Sequence, residues 1–357
     1  MKSSTRKPVT IHAPSASGRN IPFQHGLSLI ELMISITIGL LILVSLSSLF
    51  VSQSKARTEL DKSNRMIDNG RYAMELLSND LRLAGFYGEF TPSSGVPAIP
   101  ASLPNPCSTS ASDIAAALQL AIQGYNAAGP SSTISGAPCS LVNSGGSSLS
   151  LKPGSDILVI RRASTATPIV QGVALNGTHY IQASLCQYDS EQFKVDTIKA
   201  NFTLRLRNCT ATSAAPYADL RNMLVHVYYV SPNNNISPAD GIPTLKRLEL
   251  DATTHAFVPT PLVEGIEYMQ LEYGLDADSN GTADSYVTAP AATDWPNVVA
   301  VKVNLLARNT EPTRSYTDRK TYSLGSAGTV TPNDSYKRHV YTQFIRLVNP
   351  ASRRELP

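Results

Sequence analysis

The chain has 357 residues, enough for one large domain or two small ones with a substantial buried core. Hydrophobic residues make up 42% and charged residues 16%, which excludes a disordered polymer and a multi-span membrane protein. A formal net charge of +3 gives no electrostatic footprint for nucleic acid.

Residues 1–26 hold Lys2, Arg6, Lys7, Arg19 and His25, but no acid and no apolar run. An ordinary secretory signal would place its apolar stretch before the cleavage site. Here the apolar run begins at Leu27 and continues to Val51, about the length that crosses a bilayer as a helix. The basic residues ahead of it hold that end in the cytoplasm, so the rest of the chain is expected in the periplasm. Glu31 alone breaks the apolar pattern. A carboxylate in a membrane helix costs roughly 2.5–3.5 kcal/mol, which makes it a functional candidate.

The stretch Gly26-Leu27-Ser28-Leu29-Ile30-Glu31-Leu32-Met33 resembles the prepilin cleavage and methylation motif. It departs from the commonest pattern in having Leu, not Phe, at the first mature position. The resemblance implies that prepilin peptidase cuts after Gly26 and methylates the new amino terminus at Leu27. Glu31 is then the fifth mature residue, and the positive Leu27 amine of a neighbouring subunit offsets its charge in an apolar filament core. The competing reading of Glu31 is an incidental acid at the start of a plain anchor.

Beyond Phe50 the helix is expected to continue. Ala56, Leu60, Ser63, Ile67, Gly70, Met74, Leu77, Leu81 and Ala84 recur at alternating steps of four and three, an apolar or small stripe. Lys55, Arg57, Glu59, Asp61, Lys62, Arg65, Asp68, Arg71 and Glu75 occupy other positions. A helix from Leu27 to Ala84 would extend roughly 85 Å at 1.5 Å per residue. Residues 27–51 form its membrane or filament-core half, and residues 52–86 an amphipathic half. Gly70 marks either a close approach by the sheet or a soft point. Glycines stop the helix at Arg82-Leu83-Ala84-Gly85-Phe86-Tyr87-Gly88, a run that resembles the segment after the long helix in the PilW group of minor pilins.

Residues 87–154 read as a Ser/Gly/Pro-rich insertion, mostly loop, with a short helix between Ser112 and Tyr125 carried by Ile114, Leu118, Leu120 and Ile122. The four cysteines, Cys107, Cys139, Cys186 and Cys209, lie at no zinc-ligand spacing. Downstream of a membrane segment they read as two disulfides. Three connectivities are open; Cys107–Cys139 with Cys186–Cys209 closes the shorter loops. Four buried free thiols are the alternative.

From residue 155 the pattern becomes β. Candidate strands are Asp156–Arg162, Thr178–Ala183, Phe202–Arg207, Met223–Val230, Leu245–Leu250, Ile266–Tyr273, Val298–Ala307 and Val340–Val348. Val301, Val303 and Leu305 alternate with Lys302 and Asn304, as in a half-buried antiparallel strand. Leu262–Gly274, Val299–Arg308 and the closing Tyr336–Tyr341 also resemble the PilW group. The resemblance implies an α+β, type IV pilin-like fold: a long N-terminal helix, membrane half plus amphipathic half, packed on a C-terminal antiparallel β-sheet domain spanning 155–357.

Asp276, Asp278, Asn280, Thr282 and Asp284 place oxygen donors at calcium-loop spacing around Gly281, but Val287 stands where the bidentate Glu belongs. A plain Asp/Asn/Gly hairpin turn explains the same residues. Otherwise no cofactor is expected. The six histidines are scattered, and no nucleophile elbow, phosphate loop or dinucleotide fingerprint is present, so no enzyme is expected. The resemblance implies a minor pilin that takes part in type IV pilus assembly or priming, with a place at the filament tip. Its expected partners are prepilin peptidase, other minor and major pilins and a tip adhesin; its expected locations are the inner membrane and then the extracellular pilus. The rivals are a type II secretion pseudopilin, a membrane-anchored calcium-dependent adhesin, and an anchored envelope enzyme or receptor.

Overall fold

Helix α1 runs without interruption from Leu29 to Leu83. The computed structural model describes residues 26, 28–92, 97–142, 149–210, 217–235, 237–251 and 255–355; the leader residues 1–25 and Leu27 lie outside them. The chain divides into a unit ending at Arg57 and a larger one beginning at Thr58.

Within the larger unit, α1 buries Met66, Gly70, Ala73, Met74, Leu77, Ser78, Asp80 and Leu81. The sequence stripe is therefore corrected at its start. Ala56 and Leu60 are exposed, Leu60 by 62%, while Ala73 and Asp80 join the buried line. Side chains fasten this half at intervals. Glu59 accepts from Thr313 Oγ1 at 2.6 Å and Lys337 Nζ at 3.2 Å. Asn69 Nδ2 donates to the Glu264 carbonyl at 3.0 Å, and Asn349 Nδ2 to the Ala84 carbonyl at 3.0 Å.

Gly70 is a close approach, as one of the two readings held. A Cβ there would sit 2.2 Å from Cε2 of Tyr341, whose hydroxyl donates to the Ile67 carbonyl at 3.1 Å. Gly70→Ala is expected to cost about 1–3 kcal/mol from overpacking, less about 1 kcal/mol gained in helix propensity. Urea unfolding of Gly70→Ala, alone and with Tyr341→Ala, checks this: the second change should recover most of the loss.

The remaining helices are α2 (Ala111–Ala116) and α3 (Val348–Arg354). The strands are β1 (Ile122–Tyr125), β2 (Ile157–Ala163), β3 (Tyr180–Ala183), β4 (Phe193–Asp196), β5 (Leu220–Ser231), β6 (Thr244–Leu250), β7 (Phe257–Glu264), β8 (Ile266–Leu275), β9 (Ser285–Val287), β10 (Val298–Arg308), β11 (Tyr322–Ser323), β12 (Thr329–Val330) and β13 (Arg338–Arg346). Seven form one antiparallel sheet with path β1-β2-β5-β3-β4, and β6 joins β5 to β7. Four form a second sheet in the order β13-β10-β8-β9.

Both sheets share one core. Leu77 and Leu81 of α1 cluster with Leu158, Tyr228 and Val230 of the first sheet and with Leu271, Val303 and Leu305 of the second. Each fully buried Leu contributes about 1.5–3 kcal/mol relative to exposure. The chain passes from sheet to sheet at Gly265, which sits at φ +78° between β7 and β8. A Cβ there would lie 2.6 Å from the Arg308 carbonyl oxygen, so both conformation and space require glycine. Asp156 stitches the sheets again: Oδ1 accepts the Ala127 N–H and Oδ2 the Leu271 N–H, each at 2.8 Å.

Several expectations need correction. The short helix between Ser112 and Tyr125 is α2 alone; Leu118, Leu120 and Ile122 are buried on the way into β1, where Ile122 pairs with Ile160. Their spacing of two fits a strand as well as a helix turn, so the 87–154 segment is no mere loop insertion. Phe202–Arg207 is not a strand. Phe202 and Leu204 are buried as the alternation suggests, but the Leu204 N–H goes to Gln182 Oε1 at 3.0 Å and not to a ladder. Strand β13 ends at Arg346, and Val348 opens α3, whose Pro350 falls in the first turn where a missing N–H costs nothing. Strands β4, β7, β9, β11 and β12 match no candidate strand of the sequence. The cysteines pair as Cys107–Cys139 and Cys186–Cys209, with Cα–Cα distances of 5.2 and 5.0 Å.

Candidate functional site: the head of the N-terminal helix

Glu31 lies in the first turn of α1 and is exposed. Ser28 precedes the helix, and its Oγ accepts the Ile30 N–H at 3.4 Å. In return the Ser28 N–H donates to Glu31 Oε2 at 2.9 Å. This Ser-x-x-Glu exchange is a capping box, in which two N–H groups left open at the helix start find acceptors. A carboxylate also gains from the positive end of the helix dipole. Because an ionised carboxylate accepts several bonds, the local cap leaves Glu31 able to receive a cation from outside the chain.

Beyond Glu31 no charged residue occurs until Lys55. None of the most apolar stretch of α1 is buried within the chain. Leu29, Leu41, Val44 and Phe50 are among the large exposed side chains. Hydroxyls in this stretch turn back on the helix: Thr37 Oγ1 donates to the Ile34 carbonyl at 2.8 Å and Ser45 Oγ to the Leu41 carbonyl at 2.9 Å. Such bonds remove the cost of a free donor in an apolar medium. The apolar helix is consistent with membrane anchoring. At Gly26 nothing lies within 4 Å of where a Cβ would sit. A requirement for glycine at that position is therefore not imposed by the fold of the described residues.

The second candidate, the Asp276–Asp284 loop, joins β8 to β9. Carboxylate oxygens of Asp276, Asp278 and Asp284 come within 4.8 Å of one another. Their partners come from the chain itself. Asp276 is fully buried; its Oδ1 accepts the Asn280 N–H at 3.2 Å, and its Oδ2 accepts the Gly281 N–H at 2.9 Å and Arg354 Nε at 2.6 Å. Burial raises the Asp276 carboxyl, but Arg354 and the Gly281 and Asn280 N–H groups together outweigh it and hold the group below the ordinary range. Asn280 Oδ1 accepts the Thr282 N–H at 2.8 Å, and Asp284 Oδ2 the Ala277 N–H at 2.7 Å. Arg354 also reaches Asn297 Oδ1 at 2.8 Å, so the loop fastens α3.

The sequence reading missed Asp80, which is buried on α1. Its Oδ2 accepts from His226 Nδ1 at 2.6 Å and the Tyr228 hydroxyl at 2.8 Å, and its Oδ1 from Arg162 Nε at 2.6 Å. One signal was available: Asp80 falls three residues after Leu77, on the edge of the apolar stripe.

With this geometry in place, two family profiles bear on the chain. One, described as Type IV Pilus-assembly protein W, matches residues 227–349. The other, described as the prokaryotic N-terminal methylation motif, matches residues 22–47. Over residues 227–349 the chain is similar to the PilW family. The PilW match runs from within β5 into α3 and takes in Gly265 and the whole four-stranded sheet. The methylation-motif match brackets Gly26, Glu31 and most of the exposed apolar stretch. Among solved structures, a type IV-like pilin from Thermus thermophilus is similar at 16% identity, covering 55% of this chain and 80% of that one with a TM-score of 0.25. No curated protein matches the chain.

Proposed function

We propose that the chain is a minor pilin, cut after Gly26 by prepilin peptidase, held in the inner membrane by residues 27–51 with its large domain in the periplasm, and then built into a type IV pilus. One observation carries this reading: an apolar, uncharged helical stretch without burial inside the chain, headed by Gly26 and by an acid exposed at the first turn. Such a stretch needs lipid first and neighbouring subunits later. The Leu27 amine of an adjacent subunit supplies the cation for Glu31, and other minor and major pilins are the neighbours. A place at the filament tip, where assembly is primed and an adhesin can be carried, suits a domain this large, because a bulky subunit crowds a shaft of repeated copies. The loop at Asp276 serves as a tether for α3, and neither a metal nor a catalytic activity enters the proposal.

The test is the mass of the N-terminal peptide from the native host, wild type against Gly26→Val. The expected result is a peptide starting at N-methylated Leu27 in the wild type, replaced by the uncut precursor in the variant. An uncut wild-type chain in a host with active prepilin peptidase would reduce residues 27–51 to a plain anchor.

A further inference from the structure

Most arginines shielded from water in this fold are paired. Among the described residues nine are buried or half-buried. Six of them, Arg162, Arg205, Arg247, Arg308, Arg338 and Arg354, have a carboxylate oxygen within 4.0 Å. The other three, Arg161, Arg221 and Arg353, have none among the described residues, and all three meet at one place, the turn Gly85–Gly88 that ends α1.

Contacts fix that convergence. The Arg161 main chain borders the turn, its carbonyl accepting the Gly85 N–H at 2.9 Å, and its guanidinium is near enough to act on the Tyr87 hydroxyl. A Cβ on Gly85 would lie 2.8 Å from Arg353 Nη2, and one on Gly88 would lie 2.8 Å from Arg221 Cδ. Both glycines have positive φ, +73° and +69°, so the turn combines an unusual backbone with room made for two guanidinium side chains. Arg161 and Arg221 spend donors on neutral oxygens: Arg161 on the Leu120 carbonyl at 3.3 Å and Gln123 Oε1 at 2.7 Å, Arg221 on the carbonyls of Ser164 and Ala166 at 3.1 and 2.9 Å. Arg353 gives only Nε, to the Asn349 carbonyl at 3.2 Å. Its two Nη groups, the fork that grips a carboxylate, have no partner among the described residues.

Tyr87 adds an independent sign. Its side chain is only 2% exposed, and its hydroxyl has no hydrogen-bond partner. Most buried hydroxyls find a partner; here Tyr87 and Tyr273 do not, and of the two Tyr87 lies beside the unpaired arginines. Burial pushes the Tyr87 hydroxyl up to about 12, against the opposing charges of Arg353 and then Arg161. Tyr87 and Arg353 line the same cavity, of about 200 Å³, with Gly85, Gly88 and Asn349. Phe86 and Phe90 give it an apolar wall.

We propose that this cavity at the end of α1 is a binding site for a carboxylate, gripped by the Arg353 fork with the Tyr87 hydroxyl as a further donor. A planar guanidinium matches a carboxylate with two parallel bonds, and an uncompensated cluster of cations strengthens the grip. The small volume and aromatic wall suit one carboxylate on a short aliphatic stem. That group can be an acidic side chain of another polypeptide or a free small dicarboxylate.

The experiment uses the full-length chain in neutral detergent micelles, titrated by calorimetry. The probes are glutarate, a terminally blocked peptide with two glutamates beside a phenylalanine, and the same peptide with glutamines. At least one carboxylate probe should bind, the glutamine peptide should not, and Arg353→Gln should weaken binding at least tenfold. Tyr87→Phe, which keeps the ring, should weaken it several-fold with an unchanged or raised Tm. Preference for the peptide over glutarate assigns the site to a protein partner; equal or better binding of glutarate assigns it to a free small acid. If no carboxylate probe binds, or if binding is the same in both variants while each keeps the wild-type Tm, the proposal is wrong.

Discussion

Asp80→Ala is expected to lower the unfolding free energy by about 3–5 kcal/mol, the range for breaking a buried charge pair from one side. Asp80 sits where α1 meets the first sheet, with 6% exposure, and accepts from His226, Tyr228 and Arg162 at 2.6–2.8 Å. Without the carboxylate, Arg162 keeps its charge in a half-buried place and Tyr228 keeps a hydroxyl with one acceptor fewer. The loss should be far smaller when Arg162→Ala is added, because the stranded charge leaves with it. Urea unfolding of the two single variants and the double variant measures this coupling. Strict additivity of the two losses would show that Asp80 acts through packing alone.

The pH dependence has a definite sign. Burial alone would raise the Asp80 carboxyl, but His226 and then Arg162 outweigh it and hold the group well below the ordinary carboxylate range. A folded-state pKa depressed in this way adds stability that is fully present above the unfolded value, about 3.9, and is lost as pH falls further. Wild type should therefore lose its advantage over Asp80→Ala on strong acidification and not near neutrality.

These buried acids mark where the sequence could and could not be read. The head of the chain was legible because its signal is local: Gly26, Glu31 and an uncharged apolar run carry it within thirty residues. The long strands were legible through their alternation, and β10 follows Val301, Val303 and Leu305 into the core. Strand β7 was hidden by Pro259 and Pro261, which cannot donate to a ladder; it survives because it pairs only with β6 and leaves its other side open. Asp80 and Asp156 were invisible for a different reason. A polar residue in an apolar pattern reads as a break, and its partners lie far away in sequence: His226 is 146 residues from Asp80 and Leu271 is 115 from Asp156. The turn at Gly85–Gly88 was read as a helix stop, which it is; that three arginines gather there depends on where β2, β5 and α3 end up in space.

Asp156→Ala is expected to be the other severe substitution, and its pH dependence should run the opposite way. The carboxylate accepts one backbone N–H with each oxygen, from Ala127 and Leu271, both at 2.8 Å. Removing it strands two buried donors, at about 1–3 kcal/mol each. Asp156→Asn keeps one acceptor oxygen but turns an N–H₂ toward the other donor, so it should lose roughly half as much. Burial pushes Asp156 up from 3.8 to about 7, with the two N–H groups pulling it back only in part. Between those values the folded chain keeps a proton that the unfolded chain has released, so this group's contribution to stability falls as pH rises. At 1.36 kcal/mol per pH unit the whole change is on the order of 4 kcal/mol. The gap between wild type and Asp156→Ala should therefore be widest at about pH 4 and narrow steadily toward about pH 7, the reverse of the acid-side loss at Asp80. Urea unfolding of the full-length chain across that range measures it, with Asp156→Asn as the uncharged reference. A gap that widens with pH would mean that the two backbone donors outweigh burial, and that Asp156 is held as a carboxylate throughout.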